Sequence, residues 1–303
     1  MNTISDLEKA PSRYVVTRDN LRLHYLDLGP SSARTSATPV LCLPGLTRNG
    51  RDFFPLASTL MDMRRVLILD ARGRGRSDYA TAPRHYRAEV DLDDIMQFLI
   101  AVGIERAIVV GTSFGGLMAL ALAAFRPAVL AGLVLNDIGP TVGWKAVDDL
   151  LKAFSDERPL SNWAEAASEL KRIIPELGLK DDDLWLHAAK ATWREGPDGR
   201  LRMDFDARLA RVWRNRGVGE HDLWALWNAA HVVPALVLRG QISGVLTAET
   251  VAEMKKRKPD LRTVTIPDVG HAPSLIEPES HAALTSLLAD VDALESQRER
   301  RIA

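Results

Sequence analysis

The stretch that most constrains this chain runs from Arg106 to Pro127. Ala107-Ile108-Val109-Val110 is short, apolar and rich in β-branched residues, which predicts a fully buried strand. Leu117 to Phe125 consists of strong helix formers and stops at Arg126-Pro127. Between them stands Gly111-Thr112-Ser113-Phe114-Gly115-Gly116, so a strand, a tight turn and a helix surround a GxSxG pattern with Ser113 at its apex. So sharp a turn strains the serine backbone and admits only small neighbours, which Gly111, Gly115 and Gly116 supply. The hydroxyl then stands above the sheet edge as a candidate nucleophile. The first N–H groups of the new helix, that of Phe114 among them, point toward any negative charge that develops there.

Other apolar runs alternate with helical segments. Residues 1–12 are polar and predict a loosely held start, and residues 14–29 alternate about Asp19-Asn20 as an edge hairpin with His24 facing outward. Val40 to Leu43 predicts a buried strand leading into Pro44-Gly45-Leu46, where a second backbone donor, Leu46 N–H, can arise. The strand Arg65 to Asp70 runs into the loop Asp70 to Ser77, which is rich in glycine and arginine but fits no phosphate-binding spacing; a turn tied by Asp70 and Arg72 is the better reading. Val90 to Ile104 predicts a helix with its acids facing away from the core. Leu130 to Leu135 is a further strand, ending at Asn136-Asp137.

The texture changes from Thr141. All seven tryptophans lie before His231, in segments of helical period, and the strand rhythm resumes only at Pro234. This predicts a main unit of residues 1–140 and 232–303 and a helical cap of 141–231. Trp144, Trp163, Trp185 and Trp213 are candidate lining for a substrate pocket, although each could equally anchor the cap. His187, His221 and His231 lack metal-ligand spacing and read as structural or solvent-facing. The last strand, 261–266, runs into Gly270-His271-Ala272-Pro273, and a helix from His281 to Leu294 precedes a charged tail expected to fray.

With 303 residues and 46% hydrophobic content, the chain can fill one large α/β domain with an insertion. A net charge of -1 gives no footprint for nucleic acid or an anionic membrane, which leaves a small-molecule partner. Cys42 is the only cysteine, so neither a disulfide nor a cysteine-based zinc site is available, and its apolar run predicts a buried thiol. The first residues lack a signal-peptide layout and no apolar run nears the roughly 18 residues of a membrane helix, so a cytoplasmic monomer or homodimer is expected.

Four segments, in this order, resemble the α/β-hydrolase superfamily: Leu43-Pro44-Gly45, Asp70 to Ser77, Gly111 to Gly116 and Gly270-His271-Ala272-Pro273. The likeness is to its capped esterase, lactonase and enol-lactonase-like branch. It implies a mostly parallel eight-stranded sheet flanked by helices with the cap after the sixth strand. It also implies Ser113 as nucleophile, His271 as base, the N–H groups of Leu46 and Phe114 as oxyanion hole, and no cofactor or metal. The substrate class it implies is a small ester or lactone. Many relatives have a histidine where this chain has Pro44. The larger departure is in Arg239 to Leu246, where Gly244 occupies the position at which such proteins carry the triad acid. Three readings stay open: Asp137 at the end of the sixth strand supplies the acid, the acid is absent, or Asp268 serves. Ser113 argues against dehalogenase and epoxide-hydrolase chemistry. Carbon–carbon bond hydrolysis, other cofactor-free chemistry and a ligand-binding protein with little turnover remain alternatives.

Overall fold

The computed structural model describes residues 4–30, 35–155, 158–215 and 223–302. Eight strands form one sheet: β1 (Arg13–Val16), β2 (Arg22–Leu28), β3 (Val40–Leu43), β4 (Val66–Leu69), β5 (Ala107–Thr112), β6 (Leu130–Asn136), β9 (Ala235–Gly240) and β10 (Arg262–Ile266). Their order is β1-β2-β4-β3-β5-β6-β9-β10; β1 and β2 run antiparallel to their neighbours and the rest are parallel. Every residue of β3, β4 and β6 is buried, as expected of parallel strands covered by helices on both faces. One face packs on α3 (Ala88–Ala101) and α4 (Phe114–Phe125), the other on α2 (Phe54–Leu60) and the terminal helix α10 (Pro278–Ile302). Cys42 is fully buried, and burial pushes its thiol pKa well above the ordinary value.

Between β6 and β9 lie α5 (Trp144–Ala153), α6 (Trp163–Ile173), α7 (Asp182–Thr192), a hairpin of β7 (Trp193–Glu195) and β8 (Leu201–Met203), then α8 (Ala207–Asn215) and α9 (Trp224–Ala229). The hairpin was not expected in a helical insertion; Glu195 to Arg200 forms its turn. Leu151, Phe154, Leu170, Trp185, Trp193 and Leu201 build a separate apolar core here, whereas Trp227 packs with the main core.

Four other expectations are corrected. The first residues include a short helix, α1 (Ile4–Glu8), pinned by buried Leu7 and by Glu8 against Arg51. The terminal helix continues to Ile302, with Glu295 held by both nitrogens of the Arg106 fork at 2.7 Å. His24 is buried, because the loop after β4 closes over it and Asp70 accepts its Nδ1–H at 2.8 Å. Asp91 and Asp94 of α3 face inward rather than to solvent, pairing with Arg74 at 2.8 Å and Arg72 at 2.6 Å. Among the described residues, no helix is long and apolar enough to cross a membrane.

Candidate active site

Ser113 links β5 to α4 at φ 53° and ψ -120°, a region that non-glycine residues avoid. The glycines around it answer to close backbone approach. A Cβ on Gly111 would lie 2.5 Å from the Gly115 carbonyl group, and one on Gly115 would lie 2.0 Å from the Leu43 oxygen. The first hydrogen bonds of α4 run from the N–H groups of Gly116 and Leu117 to the Ser113 carbonyl, which leaves the Phe114 N–H ahead of the helical ladder. On the neighbouring loop, Arg48 N–H turns back to the Gly45 carbonyl at 3.2 Å, placing Leu46 within a tight turn beside the serine.

Asn136, the last residue of β6, binds the surrounding parts together. Its carbonyl accepts Ser113 N–H at 3.0 Å, and its side-chain amide donates to Thr112 Oγ1 at 3.1 Å and to the Pro273 carbonyl at 2.8 Å. The next residue, Asp137, is fully buried at φ 55°. Its Oδ2 accepts Nδ1–H of His271 at 2.7 Å, and its Oδ1 accepts Gly240 N–H at 2.9 Å. Ser243 Oγ donates a short hydrogen bond to the same Oδ2. With Nδ1 committed as a donor, the neutral imidazole keeps its lone pair on Nε2.

Gly244 therefore stands beside Ser243, whose hydroxyl donates to Asp137, the carboxylate that meets His271. The loop after β9 contributes a hydroxyl, from Ser243, to a carboxylate that comes from β6. Gly244 itself, with Ile173, Glu176 and His271, lines a hollow of about 260 Å³. Asp268 is exposed, and its backbone N–H meets Gln241.

Ser113 and His271 line one cavity of about 170 Å³. Its wall is mostly apolar, with Leu46, Val147, Leu151, Phe154, Ile174 and Leu184 among its members, and Arg48, Asp52 and His187 add polar groups. None of Trp144, Trp163, Trp185 and Trp213 lines it, which corrects the expectation for all four. Trp185 and Trp163 pack within the insertion's own core, and the Trp185 indole donates to the Leu179 carbonyl. Trp213 stacks edge-on against Phe114, with ring centres 5.0 Å apart, and Trp144 is the first residue of α5. Large rings fill the thin helical layer; branched aliphatic chains shape the hollow beneath it.

Several contributors escaped the sequence reading. His187, read as structural or solvent-facing, lines the cavity; His231 lies beside Trp227, and His221 lies outside the described residues. Arg74 is buried. Its Nε donates to the Leu46 carbonyl at 2.8 Å, its guanidinium lies over the Phe114 ring at 5.6 Å, and Asp91 anchors it. Its place between two glycines of the Asp70 to Ser77 loop was the available signal. The insertion also touches the histidine loop directly, since Gly270 N–H donates to the Glu176 carbonyl at 2.6 Å.

Comparison with known proteins agrees with this architecture. A family model described as the alpha/beta hydrolase fold matches residues 38–278, and the chain belongs to that family. It is 33% identical over 266 residues to a 3-hydroxybutyrate-oligomer hydrolase of Cupriavidus necator, covering 85% of this chain and 89% of the relative. A 2-(acetamidomethylene)succinate hydrolase of Mesorhizobium japonicum is 27% identical over 244 residues, covering 79% and 84%. Among solved structures, that of an α/β hydrolase from Novosphingobium aromaticivorans superposes with a TM-score of 0.86 at 40% identity, covering 92% of this chain and 98% of that one.

Proposed function

We propose that this chain is a serine hydrolase that cleaves small carboxylic esters through an acyl-enzyme. The observation that carries the reading is the strained Ser113 beneath a cavity that His271 also lines, with Nδ1 of that histidine 2.7 Å from fully buried Asp137. Nε2 of His271 takes the Ser113 proton as Oγ attacks the substrate carbonyl carbon. Asp137 holds the tautomer and stabilises the imidazolium. The N–H groups of Leu46 and Phe114 receive the developing oxyanion, and Arg74 steadies both residues from behind. His271 returns its proton to the leaving alcohol. Water, deprotonated by the same nitrogen, then cleaves the acyl-serine bond to release the acid and restore the hydroxyl.

Two supports narrow the substrate. The apolar wall suits a short acyl chain, and the Cupriavidus necator relative is described as a hydrolase of 3-hydroxybutyrate oligomers, which places oligomeric hydroxy-acid esters among the first substrates to try. A binding protein without turnover would need no carboxylate on His271, whereas Asp137 meets its Nδ1 at 2.7 Å.

A panel of p-nitrophenyl esters, read with a fluorophosphonate probe, tests the proposal. Turnover together with rapid labelling at Ser113 is the expected result. A Ser113→Ala protein that keeps full activity would sink the assignment.

A further inference from the structure

The polar part of the cavity wall is built from both layers of the molecule. Arg48 and Asp52 come from the loop and turn after β3, and His187 comes from α7. Arg48 grips Asp52 through Nε at 2.8 Å and Nη2 at 2.5 Å, while Nη1 donates to Thr192 Oγ1. Thr192 Oγ1 in turn donates to the Ala188 carbonyl at 2.7 Å. Three of the guanidinium's five N–H groups are thus used, and its charge is balanced by a carboxylate at the same wall.

His187 is fixed in one tautomer. Nε2 lies 3.1 Å from the Arg51 carbonyl oxygen, which can only accept, so Nε2 carries the hydrogen. The ring packs against Phe54, and burial, opposed by Asp52 and Glu8 and assisted by Arg48, holds its pKa below the ordinary value. Nδ1 is therefore a lone-pair acceptor, and it has no hydrogen-bond partner among the described residues. Two Arg48 N–H groups remain unspent on the same cavity wall, so the wall holds an acceptor on His187 and donors on Arg48. An alcohol supplies the complement of both. A carboxylate supplies no donor for Nδ1 and meets the negative charge of Asp52.

We infer that His187, with Arg48 and Asp52 beside it, forms a hydroxyl-binding subsite, and that the preferred substrates are esters whose acyl chain carries an uncharged hydroxyl. This rests on the ester-hydrolase reading above. The hydroxyl donates to Nδ1 and accepts from Arg48, and the apolar wall holds the carbons between it and the ester.

The test compares ethyl 3-hydroxybutanoate with ethyl butanoate, ethyl 6-hydroxyhexanoate with ethyl hexanoate, and both pairs with monoethyl succinate. In the wild type, kcat/KM for at least one hydroxy ester exceeds its plain partner by about tenfold, the scale of one net hydrogen bond, and monoethyl succinate is poorest. His187→Phe, which keeps an aromatic ring and loses the acceptor, brings that ratio to about one; His187→Asn, which retains an acceptor oxygen, recovers part of it. Ratios near one in the wild type, or a ratio that survives His187→Phe, overturn the subsite. Calorimetric titration of Ser113→Ala protein with the same esters reads the preference as affinity without any turnover. If no ester is hydrolysed by the wild type, the hydrolase reading fails while the titration still decides the subsite, and equal affinities for hydroxy and plain esters reject it.

Discussion

Among the described residues, two histidines donate Nδ1–H to a buried aspartate with a serine nearby, and their surroundings differ. At the sheet's antiparallel end, His24 donates Nδ1–H to Asp70 at 2.8 Å and faces Ser12 Oγ with Nε2 at 3.1 Å. At its parallel centre, His271 donates Nδ1–H to Asp137 at 2.7 Å. The carboxylates are alike in their supports, for Asp70 also accepts backbone N–H groups, from Gly50 and Arg76. The surroundings differ. Ser12 lies on exposed extended chain and already accepts from Arg76 at 2.9 Å; no strained turn lifts it and no helix begins there. The hollow beside His24 measures about 20 Å³, room for about one water. Ser113 has the strained turn, the helix start and the larger cavity. A hydrogen-bonded relay is therefore a common way to satisfy a buried histidine, and what separates a reactive serine is strain, unspent donors and space.

The sharpest way to break this contrast is to remove each serine. Ser113→Ala is expected to lose turnover on the order of a million-fold and all fluorophosphonate labelling, whereas Ser12→Ala keeps both, as mass spectrometry of the labelled peptide would verify. The paired carboxylates come next. Asp137→Asn lowers kcat about ten-thousand-fold with little change in KM, while Asp70→Asn affects the urea midpoint rather than kcat. Gly244→Asp adds nothing to steady-state rates, because Nδ1 of His271 is already engaged and the new Cβ would lie 3.1 Å from that of Ala146.

Arg74→Met acts more moderately on rate and strongly on stability. It frees the Leu46 carbonyl and leaves Asp91 buried without its ion-pair partner, for an expected loss of about 3–5 kcal/mol in urea unfolding. Its kcat falls further than Ser12→Ala's, and Arg74→Lys restores part of both quantities. The smallest effect is a pH slope. Burial raises the Asp204 carboxyl, beside Asn49 and Arg51, to about 6. An acid raised on folding holds its proton better in the folded state, so its contribution to stability falls as pH rises from about 4 to 6. Urea midpoints across that window decline more steeply in the wild type than in Asp204→Asn.

The elbow was legible because its signal is local: a strand, three small residues and a helix must be contiguous for Ser113 to reach its conformation at all. His271 was legible for a similar reason, standing in a glycine-flanked loop directly after the last strand. The partner of its Nδ1 was not. Whether position 137 or 244 meets that nitrogen depends on how β6 and β9 lie side by side, with Asn136 opposite Leu238 and Asp137 N–H bonded to the Leu238 carbonyl. His24 misled because alternation locates one face of a strand and says nothing of a loop that covers the other. Asp91 and Asp94 misled because a buried arginine pair reversed the usual preference of carboxylates for water.

By itself, the order of residues determined the α/β class and the place of the turn bearing Ser113, since these follow from periodicity, glycine spacing and chain-local sterics. Tertiary structure alone decided which carboxylate His271 meets, that aliphatic chains and not tryptophans face the cavity, and that His187 joins its wall. Those outcomes depend on contacts such as His271 with Asp137, 134 positions apart, and His187 with Arg51, 136 apart, which are set by strand register and by the docking of one layer on another, and no short pattern records either.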